Sequence, residues 1–187
     1  MNRLLILGTL NDTLSAGIRQ LQKRLSSRTG NLLALRFPVH ITIRGPFWTE
    51  AEPDRYRECI ESVCRSNRQF EILLNGPVFV DPDLCWLEVD PASAGFACLR
   101  ELHIKFEDAV SSLVAIDDVP AKHKGINYRP HATLGWGTDF ASHKNLPPWR
   151  DNGCTGFLDK VAVAVYPEKW PIEGNVEIIE SFALGSL

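Results

Sequence analysis

No apolar run in this 187-residue chain approaches the roughly 20 residues a membrane-spanning helix needs; the longest, residues 4–7 and 161–166, stop far short of it. Nor does one sign of charge dominate. Lys and Arg number 20 against 23 Asp and Glu, a net charge of −3. That balance leaves no broad positive field for a long nucleic acid or an anionic membrane, although a local cluster could still hold a small or terminal anion. Cysteine is sparse and scattered. Cys59, Cys64, Cys85, Cys98 and Cys154 include no Cys-x-x-Cys pair, which argues against a disulfide framework or a zinc knuckle and for reduced, mostly buried thiols. The opening MNRLLILGTLND meets Asn11 and Asp12 too soon for a secretory signal, so a cytoplasmic location is expected. No low-complexity linker divides the chain, and 44% hydrophobic with 23% charged residues is an ordinary globular balance.

What is present reads as a mixture of helices and strands. Residues 4–7 form a short buried strand, and Leu14, Ile18, Leu21 and Leu25 give residues 13–25 a helical stripe, followed by a loop at 26–31. Residues 39–44, rich in β-branched side chains, read as a strand stopped by Gly45-Pro46. A second helix is predicted over 50–66. Residues 70–74 and 78–80 follow as an extended stretch bent at Asn75-Gly76-Pro77, with 85–89 returning as its partner. Residues 91–114 carry Phe96, Leu99, Leu102, Phe106 and Val110 at helical spacing, with His103 inside the helix as a packing or solvent-facing residue. A polar loop over 117–127 feeds a strand at 128–134. A loop or short helix around 139–152, holding His143, precedes closing strands at 161–166 and 176–184.

The informative feature is a duplicated pattern. Phe37-Pro-Val-His40-Ile-Thr42-Ile-Arg44-Gly45 and Tyr128-Arg-Pro-His131-Ala-Thr133-Leu-Gly135 both read His-x-Thr-aliphatic, each with an aromatic residue three before the histidine. With eight threonines in the chain, two such matches among five histidines arise by chance on the order of a few times in a thousand. Strand alternation puts His40, Thr42 and Arg44 on one face and Arg129, His131 and Thr133 on another, each with an apolar back. Two such faces across a cleft would give a site with approximate two-fold symmetry.

Two imidazoles can divide acid and base work near neutral pH, one ring taking a proton from a nucleophile and the other giving one to a leaving oxygen. Threonine hydroxyls can donate to non-bridging phosphoryl oxygens, and Arg44 and Arg129 suit phosphate geometry. No carboxylate stands at ligand-like spacing to either histidine, so no metal and no cofactor is expected.

These motifs resemble the two-histidine (2H) phosphoesterase superfamily, with its 2′-5′ RNA ligase-like and cyclic phosphodiesterase members. Further likeness lies in Cys85-Trp86-Leu87-Glu88-Val89, in Val163-Ala-Val-Tyr166 and in the closing Ile178-Ile-Glu-Ser-Phe182-Ala-Leu184. The resemblance implies one bilobal α+β domain over residues 1–187, with two antiparallel sheets facing a central groove and helices outside. It also implies a metal-independent phosphodiesterase acting on a 2′,3′-cyclic phosphate or 2′-5′ linkage in a nucleotide or short RNA end, with a 2′-phosphate as product. His40 would protonate the leaving oxygen, His131 would activate water, and Thr42 and Thr133 would hold the phosphate. Phe47, Lys122, His123, Tyr128 and Tyr166 are candidate groove residues.

Three other readings compete with hydrolysis. A reversible 2′-5′ RNA ligase would use the same groups. A non-catalytic mononucleotide-binding module would not need both proton-transfer groups intact. A protein gripping a tRNA-sized partner would need a basic rim larger than Lys122, Lys124 and Arg129 provide.

Overall fold

Alternating aliphatic residues in the first strand, β1 (Asn2–Leu10), set the frame. Leu4 and Ile6 enter the large core, while Leu5 and Leu7 join a smaller cluster with Phe37, Ala162, Ala164 and Val176. The computed structural model describes residues 1–81, 83–136, 154–168 and 175–185, and the segment expected as a loop or short helix around 139–152, with His143, lies outside them. The remaining elements are α1 (Asp12–Thr29), β2 (His40–Thr49), α2 (Pro53–Arg65), β3 (Phe70–Asp81), β4 (Leu84–Val89), α3 (Ala94–Val110), β5 (Ile116–Asp117), β6 (His131–Trp136), β7 (Cys154–Val165) and β8 (Glu177–Ala183).

The strands form one antiparallel sheet in the order β5-β2-β1-β7-β3-β4-β6, with β8 also on β7. The α+β antiparallel architecture is therefore as expected, and the two sheets expected to flank a groove are the two ends of one curled sheet. The long strand β7 joins them, since Cys154–Leu158 pair with β3 and Leu158–Val165 with β1. β2 and β6 lie toward opposite ends of the strand order yet touch, which requires the sheet to curl. α3 packs on α2, β2 and β3, and α1 on β6 and β7.

The structure moves several boundaries for local reasons. α1 runs on to Thr29, where Gly30 at φ 72° ends it in the left-handed region and donates its N–H to the Ser26 carbonyl at 2.8 Å. α3 starts only after Ser93, whose hydroxyl accepts from the Phe96 N–H, and it tightens into a 3₁₀ turn at Ser111–Leu113. β2 does not stop at Gly45-Pro46. Leu4 pairs with Phe47 and Ile6 with Arg44, so the two residues share a bulge opposite Leu5, a place where proline's missing N–H is tolerated. A β-carbon at Gly45 would lie 2.3 Å from Val119, which explains glycine there. In the same way β3 continues through Asn75-Gly76-Pro77 with a register shift between Leu74 and Pro77.

A second irregularity recurs in both motif strands. Between the pairs Ile6–Arg44 and Leu7–Thr42, Ile43 has no partner on β1; between Cys85–Gly135 and Trp86–Thr133, Leu134 has none on β4. Each motif thus carries a β-bulge directly after its threonine, and in each the two residues after the threonine are both buried.

Candidate active site

The two motif strands bring His40, Thr42 and Thr133 to one cavity of about 220 Å³, walled by Phe37, Trp136, Tyr166, Leu5, Pro46 and Leu84. His131 stands beside it, close enough for its charge to act on His40. Its ring stacks on Trp86, with centroids 4.0 Å apart. Phe37 approaches His40 at 5.9 Å and meets Trp136 edge-on at 5.3 Å.

Both histidines are held in the same way. His40 Nδ1 lies 2.7 Å from the Pro38 carbonyl, and His131 Nδ1 lies 2.8 Å from the Arg129 carbonyl, in each case two residues back. A carbonyl only accepts, so Nδ1 carries the proton and Nε2 is the nitrogen left for chemistry. Burial is the main cause that pushes His40 down to about 4; the charges of His131 and Arg19 add to it, and the bond to Pro38 opposes it. Burial likewise lowers His131. Arg129 and His123 push it in the same direction, while its carbonyl bond and Glu88 oppose them. Both rings are therefore neutral at pH 7 in the free protein.

The other residues singled out by sequence separate into three groups. Tyr166 lines the cavity, and Arg3 stacks over its ring at 4.5 Å. Arg129 and His123 are exposed beside His131 and act on it electrostatically, with Arg129 bonded to Glu88 at 2.6 Å; Lys122 is exposed on the same short turn, Ala121–His123. Tyr128 is buried and does not line the cavity, but its hydroxyl donates to the Thr42 carbonyl at 2.7 Å.

Arg44 and Phe47 are corrections. Simple alternation put Arg44 beside His40 and Thr42, but the bulge at Ile43 reverses the phase and turns Arg44 toward α3. There, 2% exposed, it pairs with Glu107 and with Asp117 at 2.6 Å each. Phe47, past the second bulge, is 1% exposed in the core, with the Arg44 guanidinium 5.3 Å from its ring. Neither borders the cavity. Conversely, Phe37 and Trp136 line the cavity although sequence reasoning did not place them there; the signal for Phe37 was its repeated position three residues before a motif histidine. Arg19 also went unnoticed. Its guanidinium donates to the carbonyls of Ala34, Leu35 and Phe37 and so fixes the segment leading into His40.

Among the described residues, no group of three or more His, Cys, Asp or Glu side chains is arranged to hold a metal, and no helix is long and apolar enough to cross a membrane. Cys64 and Cys85 are buried free thiols, each pushed up to about 12 by burial.

Comparison with known proteins identifies the family and the fold. The family model of the 2′-5′ RNA ligase superfamily matches residues 10–150. Among solved structures, Escherichia coli LigT complexed with NADP⁺ superposes with a TM-score of 0.63 at 14% identity, covering 98% of this chain and 97% of LigT. LigT complexed with 3′-AMP gives 0.61 at 15% identity, covering 98% of both chains. A Thermus thermophilus protein gives 0.59 at 18% identity, covering 97% of both. No curated protein matches by sequence. Three quarters of the chain carries the family pattern and nearly all of it carries the fold, so the chain belongs to the 2′-5′ RNA ligase superfamily, the two-histidine phosphoesterases.

Proposed function

We propose that the protein is a metal-independent phosphoesterase that opens a 2′,3′-cyclic phosphate at a nucleotide or short RNA end and leaves a 2′-phosphate. The observation that carries this reading is the mirrored pair of His-x-Thr strands at one cavity, each imidazole locked through Nδ1 with Nε2 left for proton transfer. Solved structures of E. coli LigT complexed with NADP⁺, 3′-AMP, ATP and phosphate are consistent with a phosphate-bearing substrate in this fold.

In the reaction, His131 Nε2 takes a proton from a water whose oxygen bonds to phosphorus. The phosphorus–O3′ bond breaks, and the 3′ oxygen receives the proton carried by His40. The Thr42 and Thr133 hydroxyls donate to the non-bridging oxygens and hold them as charge develops. Arg129 can add to this by exchanging Glu88 for phosphate oxygen. Because His40 sits near 4 in the free protein, the proton it delivers must arrive with the anionic substrate. The aromatic walls Phe37, Trp136 and Tyr166 suit a stacked base better than a long charged backbone, which favours a mononucleotide or chain end.

The test is incubation with the four 2′,3′-cyclic nucleotides, a cyclic-ended RNA and a 2′-5′-linked dinucleotide, with product isomers separated by chromatography. The expected result is 2′-monophosphate formed at the same rate with and without EDTA. Ligation of RNA ends, exclusive 3′-phosphate, or loss of activity to chelator that a divalent ion restores would each contradict it.

A further inference from the structure

Beneath the cavity, two successive carbonyls of β2, those of Thr42 and Ile43 at the bulge, are both held by side chains from outside the strand. Tyr128 OH donates to Thr42 O at 2.7 Å, and His103 Nδ1 to Ile43 O at 2.7 Å. The two donors form one unit, because the His103 and Tyr128 rings stack at 4.2 Å and 8°. His103 is fixed from its other side too. The N–H of Gly125, in the left-handed region at φ 53°, donates to His103 Nε2 at 3.0 Å, which leaves the neutral ring's one N–H proton on Nδ1. Tyr128 stands three residues before His131, so this stack joins the carbonyl side of the first motif to the start of the second. In the second motif, the Thr133 carbonyl accepts from buried Gln22 Nε2 at 2.8 Å.

We infer that Tyr128 and His103 are positioning residues, a buried bracket that sets the separation between the His40–Thr42 and His131–Thr133 halves of the site. The inference rests on the proposed function, in which both halves act on one phosphorus. Burial keeps both groups in the form the bracket needs: it raises the Tyr128 phenol, so the hydroxyl stays a donor, and lowers His103, so Nε2 stays an acceptor. The stack and the paired polar contacts cross from α3 to both motifs, whereas a core serving stability alone would be satisfied by apolar side chains of the same shape.

Tyr128→Phe removes one hydroxyl and keeps the stack. Since a displacement of about 1 Å can cost 10²-fold in rate, kcat should fall roughly 10- to 100-fold with KM changed less than about threefold. The decisive comparison is with His131→Ala. Once one half is gone its distance from the other no longer matters, so adding Tyr128→Phe should cost less than about threefold. His103→Asn, which retains a donor near Nδ1, should keep more activity than His103→Leu. Affinity for inorganic phosphate, read by calorimetry, gives an arm independent of turnover: Tyr128→Phe should weaken it in the parent and leave it unchanged in Thr133→Ala. Equal losses in parent and half-site backgrounds would overturn the bracket. A parent that turns over no cyclic nucleotide but shows the phosphate pattern would refute the proposed function and leave the bracket standing; a parent that does neither would refute both.

Discussion

Binding of an oxyanion at pH 7 should draw a proton from solution onto His40. In the free protein burial holds this ring near 4, so almost none of it is charged at neutral pH. To be half protonated at pH 7 it must rise from about 4 to about 7, which at 1.36 kcal/mol per unit is about 4 kcal/mol. A single anionic charge about 4 Å from the imidazolium, at the effective dielectric of a partly buried site, supplies about 4 kcal/mol. The two figures are of the same order, so an anion seated between Thr42 and Thr133 can draw a proton onto His40. Sulfate is the suitable probe because it does not itself titrate near neutrality. Calorimetry in buffers of different ionisation enthalpy should show uptake of about half a proton or more per sulfate bound at pH 7, abolished by His40→Ala. Binding with no uptake, or with release, would refute the coupling between anion and acid.

Other consequences follow from the same structure. Arg44→Met leaves Glu107 without its cation and Asp117 with Lys124 alone; because both carboxylates are about a quarter exposed, the cost should be about 2–3 kcal/mol, less than for a fully buried pair. At roughly 2–4 °C per kcal/mol for a domain of this size, the melting temperature should drop about 4–12 °C. Initial rates of the folded variant should keep kcat and KM within about threefold, whereas a tenfold rise in KM with unchanged melting would put Arg44 back at the phosphate. The pH optimum of kcat/KM should lie on the acid side of 6.5, since the competent free form carries one proton on a pair whose members are both lowered; an optimum above 7 would contradict this. Stability should fall as pH drops below about 6.5 toward 4, because the unfolded chain takes up histidine protons that the desolvated rings of His40, His103 and His131 resist. Melting temperature against pH checks it.

The helices were legible because their apolar stripes are unambiguous: Leu14, Ile18 and Leu25 in α1, and Leu99, Leu102, Phe106 and Val110 in α3, all end in the core. The histidines and threonines were legible because the pattern occurs twice and polar residues alternate with aliphatic ones. Alternation assumes an unbroken ladder, and the one-residue bulge at Ile43 reverses the phase at Arg44 before the second bulge at Gly45-Pro46. The joining of the two ends of the sheet through β7 is a non-local pairing that no local pattern encodes. His103 read only as a packing or solvent-facing residue inside the helix, and its two hydrogen bonds and its stack on Tyr128 set it apart.

Two-histidine catalysis at a single phosphorus is tested most directly by the turnover of 2′,3′-cyclic AMP by the parent, His40→Ala, His131→Ala and the double variant. Each single change should lower kcat by about 10²–10⁴, the span of general acid–base catalysis, and the double variant should be little worse than either, because both groups serve one proton-transfer sequence. If either single variant turns over at the parent's rate, or if the two losses multiply, the paired mechanism is wrong.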